Sequence, residues 1–348
     1  MITTLLKIVR ITQETNDSVT LSLRQPGLKK IKYLAGQYLT VVFRINGRKY
    51  IRPYSFSSAP GLDQDLEITI KRVQNGIVSN HINDQVKVGD QLEILLPVLG
   101  DFTLDQQKYP SNYHVVLWGV GSGITPLFSI AKHILAQKNG YYVTLIYGNK
   151  NRETVIFEDK IKKLQQDNNY YFHVFHFHTK LNVDEEYPYL IQGRINPAKV
   201  LDIMKKEAML NNSSVHYICG PNGLKESVKN QLLKLGISEG DVFSEDFEIV
   251  KNPKDFEAIT TKFVKINHDN NIRTIEVVKG KSLLEAGLDA LIDLPYSCQT
   301  GNCLACKGKV LSGNVKMIGV AKKTDKLMDN ECLLCCCYPI TDDVHISI

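Results

Sequence analysis

The chain lacks most of what would set it outside ordinary globular proteins. It has no low-complexity tract and no internal repeat, and its 43% hydrophobic and 23% charged residues exclude the composition of a disordered chain. Long hydrophobic runs are missing too. The most apolar stretch, residues 114–136, is broken by Gly119, Gly121, Gly123 and Pro126 and carries Ser122, Ser129 and Lys132, so no membrane span is expected. Lys7 and Arg10 interrupt the opening MITTLLKIVRITQET where a secretory leader needs an apolar run, which predicts a cytoplasmic location. A net charge of +5 over 348 residues, with no basic stripe, argues against nucleic acid as a partner. Cysteine is nearly absent from residues 1–297, where Cys219 stands alone, yet the last 51 residues hold seven. In a reducing compartment such a cluster points to metal binding or redox chemistry rather than disulfides.

The length allows two or three domains. From residue 3 to about 96, short alternating apolar runs are separated by turns at Pro26-Gly27, Asn46-Gly47, Pro60-Gly61, Asn75-Gly76 and Gly89-Asp90, which predicts a sandwich or a closed antiparallel β-barrel. From about 113 the texture becomes strand–helix alternation: strand 114–120, helix 126–137, strand 141–147, a helix near 157–165, and strands near 170–177 and 215–219. That predicts an α/β parallel sheet. The segment IVKNPKDF after Glu248 reads as a linker, followed by a hairpin (261–266 with 274–278) and a helix over 282–290. The expected domains are 1–105, 106–250 and 251–348.

Cys298, Cys303 and Cys306 have the spacing C-x4-C-x2-C, which 2Fe-2S proteins of the plant type use together with a distant fourth cysteine. Gly301 and Ala305 allow a loop to approach a cluster closely. A zinc ribbon built from Cys303-x2-Cys306 and Cys332-x2-Cys335 is the alternative. It leaves Cys298 idle and needs an unusually long separation.

Farther upstream, Arg52-Pro53-Tyr54-Ser55 lies on a predicted strand whose alternation puts Arg52 and Tyr54 on one face. An arginine fork grips a pyrophosphate bidentately, and a tyrosine offers a flat surface to a ring system. Lys71-Arg72 and the loop Asn75-Gly76-Ile77-Val78-Ser79 add charge, a glycine and a hydroxyl at a presumed helix start, an arrangement suited to an anion. Gly119-Val120-Gly121-Ser122-Gly123-Ile124-Thr125-Pro126 follows a strand and opens a helix, with Thr125 expected as N-cap and Pro126 as first helical residue. Cys219-Gly220-Pro221-Asn222-Gly223 is again strand, turn and helix start. Cys219 then stands at a strand carboxyl end, either beside a ligand or as a buried structural thiol.

Residues 1–250 resemble the ferredoxin–NADP reductase superfamily through RPYS, GVGSGITP and CGPNG, and residues 255–348 resemble plant-type 2Fe-2S ferredoxins. The combination is similar to reductase components of bacterial oxygenases, in particular the reductases of the phenylacetyl-CoA epoxidase group. The resemblance implies FAD, NADH or NADPH, and a 2Fe-2S cluster, in a flavin β-barrel, an α/β nucleotide domain and a β-grasp ferredoxin domain. Arg52 and Pro53 would serve the flavin phosphates, Tyr54 the isoalloxazine and Ser55 its N5 edge, with Lys71, Gly76 and Ser79 at the pyrophosphate. Gly119, Gly121, Gly123, Thr125 and Pro126 would shape the nucleotide site, and Cys219, Gly220 and Pro221 would stand beside the nicotinamide. Glu245 and Phe247, in SEDF, match a family E-x-F near the flavin. Cys335, four residues before Pro339, would be the fourth cluster ligand.

The implied activity is electron transfer from NAD(P)H to an oxygenase component. A reductase of another hydroxylase or desaturase, or a non-catalytic redox sensor, is the alternative. Lys307, Lys309, Lys316, Lys322, Lys323 and Lys326 form a candidate docking face for an acidic partner.

Overall fold

In a computed structural model of the chain, residues 2–27, 30–110, 113–180, 189–207, 213–249, 251–320 and 327–348 are described. The chain divides into two compact units, Met1–Glu245 and Asp246–Ile348.

The first unit opens with six antiparallel strands: β1 (Ile2–Thr15), β2 (Ser18–Arg24), β3 (Tyr38–Ile45), β4 (Arg48–Ser55), β5 (Leu66–Lys71) and β6 (Gln91–Leu99), in the order β4-β3-β6-β1-β2-β5. The alternating residues that predicted them, among them Val19, Leu21, Leu23, Ile68, Ile70 and Ile94, are the buried inner face. Phe56, one residue past β4, bridges Ile68 of β5, and the Ser57 N–H donates to the Glu67 carbonyl at 2.8 Å. The two edge strands thus meet and the sheet curls shut as an antiparallel barrel. Helix α1 (Ile77–Gln85) adds Val78 and Ile82 to the same core.

The rest of this unit alternates strand and helix: β7 (His114–Val120), α2 (Ile124–Ala136), β8 (Tyr142–Asn149), α3 (Glu158–Asp167), β9 (Phe172–His178), β10 (Leu190–Gln192), α4 (Pro197–Lys206), β11 (Ser214–Cys219), α5 (Asn222–Lys234) and β12 (Val242–Glu245). All six strands run parallel in the order β10-β9-β8-β7-β11-β12, with an apolar cluster on each face of the sheet. Strand order proceeds from β7 one way through β8 to β10 and the other way through β11 to β12. The reversal between β7 and β11 marks the crevice at their carboxyl ends as the place for a ligand.

Two helix starts differ from expectation. A 3-10 turn over Gly121–Gly123 runs straight into α2, so Gly123 is the N-cap and the helix begins at Ile124. Thr125 is therefore no cap; its hydroxyl donates to the Ser122 carbonyl at 3.0 Å. Pro126 stands third in the helix, where its missing N–H is still among the four that no carbonyl within the helix would accept. Pro221 is likewise the N-cap of α5 rather than its first residue.

The inner faces of the parallel strands carry histidines. Trp118, the chain's single tryptophan, donates its indole N–H to His216 Nδ1 at 3.1 Å, and His216 Nε2 lies 3.0 Å from Ser214 Oγ. Burial lowers the pKa of His216 to about 3 and those of His114 and His176 to about 4. Each folded-state value lies below the unfolded one, so the unfolded chain binds more protons and stability is lost as pH falls below about 6.5. At pH 5 the loss reaches at most about 2 kcal/mol per histidine. Melting followed by Trp118 fluorescence should show Tm dropping between pH 7 and 5, and a flat profile would contradict this.

The second unit contains β13 (Lys262–His268), β14 (Asn271–Val277), α6 (Leu283–Asp289), β15 (Lys307–Ser312), β16 (Val315–Met317), β17 (Glu331–Leu333), β18 (Cys337–Pro339) and β19 (His345–Ser347). Five strands form a mixed sheet, β14-β13-β19-β15-β17, and β16 pairs with β18, giving the β-grasp arrangement with α6 the one α-helix among the described residues of this unit. A reciprocal capping box starts α6: Ser282 Oγ accepts from the Glu285 N–H at 3.2 Å, and the Glu285 carboxylate accepts from the Ser282 N–H at 2.7 Å. The expected linker is not free. Asn252 caps a short 3-10 turn over Pro253–Phe256, and Phe256 packs edge-on against buried Tyr338, with ring centroids 5.0 Å apart.

Candidate functional site

The crevice of the parallel sheet collects the nucleotide motifs. In register, Cys219 of β11 pairs with Gly119 of β7 on one side and Glu245 of β12 on the other, so three expected site residues stand abreast at the carboxyl edge. Cys219 is fully buried and Glu245 partly exposed. Gly123 explains how the loop before α2 comes so close: a Cβ there would lie 2.1 Å from the Cys219 carbonyl oxygen, so only glycine fits against β11. Gly121, at φ +57°, faces open space, which leaves backbone at the helix start accessible to a phosphate. Gly220 packs on Val120 and Leu224, and Pro221 follows it.

Strand β4 brings the flavin motif to the same edge. Ser55 Oγ lies 3.4 Å from Glu245 Oε2, so residues 190 apart in sequence meet. Arg52 leaves the barrel on the face it shares with Tyr50, 6.0 Å from that ring, and its Nη1 donates to the Ile51 carbonyl at 2.8 Å. Tyr54 packs against the barrel core, and burial pushes its phenol upward, with Arg52 pulling the other way. Pro53 lies between them, opposite Thr40. Gly76 is the N-cap of α1 with no side chain capping the helix; a Cβ on it would lie 2.5 Å from Ser79 Oγ, which accepts from the Val73 N–H at 3.1 Å. This bare helix start suits a phosphate.

The nearby cations are already engaged: Lys71 is 3.5 Å from Asp17, and Arg72 forks onto Asp84 at 2.9 and 2.7 Å. Phe247, 45% exposed, belongs to the second unit.

Sequence reasoning missed the clamp that fixes barrel and sheet together. Helix α2, whose start carries the nucleotide loop, also presents Ser129, which donates to the Ser58 carbonyl at 2.5 Å, and Lys132, 2.5 Å from Asp63. Lys160 of α3 similarly reaches the buried Glu14 at 2.7 Å. Polar residues on an otherwise apolar helix face were the available signal. Lys132→Met strands Asp63 without its partner cation in a largely buried place and is expected to cost about 1–3 kcal/mol, with a raised KM for the nicotinamide nucleotide. Melting and steady-state kinetics check both; unchanged values would remove the clamp from the account.

In the second unit the thiols fall into pairs. Cys298 is hydrogen-bonded to Cys303, which draws the Cys298 pKa down to about 5 and raises that of Cys303; the hydrogen bond to Cys335, with burial, raises Cys306. The Cys298 N–H points at Cys303 Sγ and the Thr300 N–H at Cys298 Sγ, both at 3.4 Å. Gln299, Gly301 and Leu304 all adopt positive φ (59°, 78° and 59°), so the loop turns back repeatedly around its own sulfurs. Two thiol pairs with inward N–H groups suit a group of two metal ions, two thiolates to each. A zinc ribbon would need Cys332 beside Cys303, Cys306 and Cys335, but Cys332 is hydrogen-bonded to Cys337. Lys322, Lys323 and Lys326 lie outside the described residues; Lys307 is paired with Glu331 at 2.8 Å, and Lys316 donates to the Asp255 carbonyl at 3.1 Å.

Residues 5–103 match the oxidoreductase FAD-binding domain family, 117–230 the oxidoreductase NAD-binding domain family and 266–340 the 2Fe-2S iron-sulfur cluster binding domain family. With the barrel, the switch-point crevice and the paired thiols, these place the chain in the ferredoxin–NADP reductase superfamily, extended by a plant-type 2Fe-2S ferredoxin domain. It is an NAD(P)H-dependent oxidoreductase that uses FAD and a 2Fe-2S cluster for electron transfer. Among curated relatives, it is 27% identical to a component of the 1,2-phenylacetyl-CoA epoxidase of Escherichia coli (strain K12), over 98% of this chain and 96% of that one. It is 28% identical to the ferredoxin reductase component of 3-ketosteroid-9-alpha-monooxygenase of Rhodococcus rhodochrous, over 99% and 96%. In fold it is similar to phthalate dioxygenase reductase, with a TM-score of 0.68 at 22% identity, over 99% of this chain and 98% of that one.

Proposed function

We propose that the chain is the reductase component of an oxygenase, of the phenylacetyl-CoA epoxidase kind, acting in the order NAD(P)H, FAD, 2Fe-2S cluster, acceptor protein. The observation that carries this reading is the meeting of Ser55, Glu245, Cys219 and Gly119 at one sheet edge, which sets the flavin and nicotinamide motifs side by side. The bound groups supply hydride acceptance and the division of two electrons into single ones. The chain's tasks are to hold and align them. Arg52, Pro53 and Tyr54 bind the flavin, with Lys71, Gly76 and Ser79 at its phosphates; Gly119, Gly121, Gly123, Thr125 and Pro126 seat the nucleotide; Gly220 and Pro221 shape the turn beside Cys219. Glu245 and Ser55 orient the reacting edge, with Phe247 as the aromatic of the same E-x-F motif. Cys298, Cys303, Cys306 and Cys335 hold the cluster. The working divisions are 1–105, 106–250 and 251–348.

NADH is the proposed donor. At the end of β9 the chain reads His178-Thr179-Lys180, without the arginine suited to a 2′-phosphate, and Arg152 is held by Glu158 at 2.6 Å.

The purified chain should show flavin and iron–sulfur absorption, bleach faster with NADH than with NADPH, and support oxygen-dependent product formation when mixed with NADH and the oxygenase components of a phenylacetyl-CoA epoxidase. Bleaching without product, while a cognate reductase succeeds under the same conditions, would reject the epoxidase assignment and keep the reductase one.

A further inference from the structure

The cluster reading leaves three fully buried thiols without a task, Cys332, Cys336 and Cys337. Cys332 and Cys337 are hydrogen-bonded to each other. Cys336 is placed differently. Its Sγ lies 3.7 Å from Cys335 Sγ and 2.8 Å from where a Cβ would stand on Gly301, inside the loop that carries Cys298 and Cys303. It therefore occupies the space between the fourth proposed ligand and the cluster loop, a space that exists because Gly301 has no side chain. Two thiolates on one tetrahedral metal, with metal–sulfur bonds of about 2.3 Å, stand about 3.7 Å apart. The Cys335–Cys336 separation is that of two ligands able to serve the same iron.

We propose that Cys336 is a reserve ligand of the 2Fe-2S cluster, its thiolate taking the iron position of Cys335 when that thiolate is lost. This rests on Cys335 being the fourth ligand of the proposed function. In the exchange one iron–sulfur bond forms as another breaks, and the Cys336 proton passes to the departing Cys335 thiolate. No electron moves, so the iron oxidation states are unchanged. Residues 334–336 form one 3-10 turn, which puts the two sulfurs on neighbouring residues of a single element. The thiol hydrogen-bonded to Cys306 is Cys335, itself a proposed ligand.

The test uses the full chain with alanine rather than serine, because a serine oxygen can itself bind iron. Iron and sulfide are counted, and absorption and electron paramagnetic resonance spectra are recorded, with amide hydrogen exchange of β13 and β19 as the folding control for the unit that carries the thiols. Cys335→Ala should keep about two irons per chain with shifted spectra, since the new sulfur has different hydrogen bonds. Cys336→Ala should match the parent, and the double variant should lose the iron, as Cys306→Ala does. Loss of iron from Cys335→Ala with β13 and β19 still protected from exchange overturns the proposal, and so does retention in the double variant. Should Cys335→Ala fail to fold, Cys335→Val fills the space with no atom able to bind iron: iron lost only on adding Cys336→Ala supports the proposal, and iron lost already in Cys335→Val, or kept in the double variant, overturns it. A parent chain without iron and sulfide would instead overturn the cluster reading itself.

Discussion

Alanine at Cys306 is expected to take the iron content from about two atoms per chain to none, and to abolish one-electron reduction of cytochrome c by NADH. Reduction of ferricyanide, which can accept electrons directly from the flavin, should persist. The physical reason is that Cys306 is 2% exposed and its hydrogen-bonded thiol, Cys335, is itself a proposed ligand, so its loss leaves one iron short of a ligand. Alanine leaves a small cavity that no solvent ligand fills readily. The residues of the flavin and nucleotide motifs belong to a separate compact unit, Met1–Glu245, with its own cores, so FAD content should be unaltered. Iron analysis and the two acceptor assays on one preparation read all three outcomes. Cytochrome c reduction surviving without iron would show that the cluster is not the exit for electrons.

The second large effect is expected at Gly123. Valine there drives its Cβ to 2.1 Å from the Cys219 carbonyl oxygen, against backbone that is held in the sheet between β7 and β12. A flexible side chain could yield, but this carbonyl cannot without moving β11, so the nucleotide loop must be displaced. Displacement of about 1 Å at a reacting pair costs on the order of a hundredfold in rate. Flavin reduction by NADH, followed by stopped-flow bleaching, should slow by about that factor, while FAD content and the cluster spectrum remain. Overpacking of this kind also costs about 1–3 kcal/mol of stability. Parent-like bleaching rates would show that the contact between the loop and β11 does not set the nicotinamide position.

Much of this molecule was legible locally. Period-two alternation in residues 19–23 and 66–70 marks barrel strands because the apolar side chains face the barrel core, while Thr20, Ser22 and Thr69 on the other face, although buried, satisfy one another and Glu67 by hydrogen bonds. The apolar block 114–120 marks a strand buried on both faces. The spacing of Cys298, Cys303 and Cys306 is legible because three proposed ligands of one group lie on a single loop, so sequence distance and spatial distance coincide. Glycines and prolines announced the two turns at the crevice, though not the residue at which α2 begins. That start depends on a 3-10 turn whose formation is decided by how Gly123 packs on β11.

What the linear sequence determined by itself was the kind of element at each place and the chemistry each motif can perform, since both depend on neighbours within a few residues. Only the tertiary structure decided which motifs meet. Ser55 reaches Glu245, Gly119 stands beside Cys219, and Ser129 and Lys132 of α2 grip the barrel at Ser58 and Asp63. Each of these contacts closes a long loop, and nothing in the local periodicity records a loop closure. The same holds among the thiols: CCCYP offers three adjacent candidates of equal composition. The offset to Pro339 singles out Cys335 only through a resemblance, whereas the fold gives each thiol its own neighbour: Cys335 faces Cys306, Cys337 faces Cys332 and Cys336 packs against Gly301.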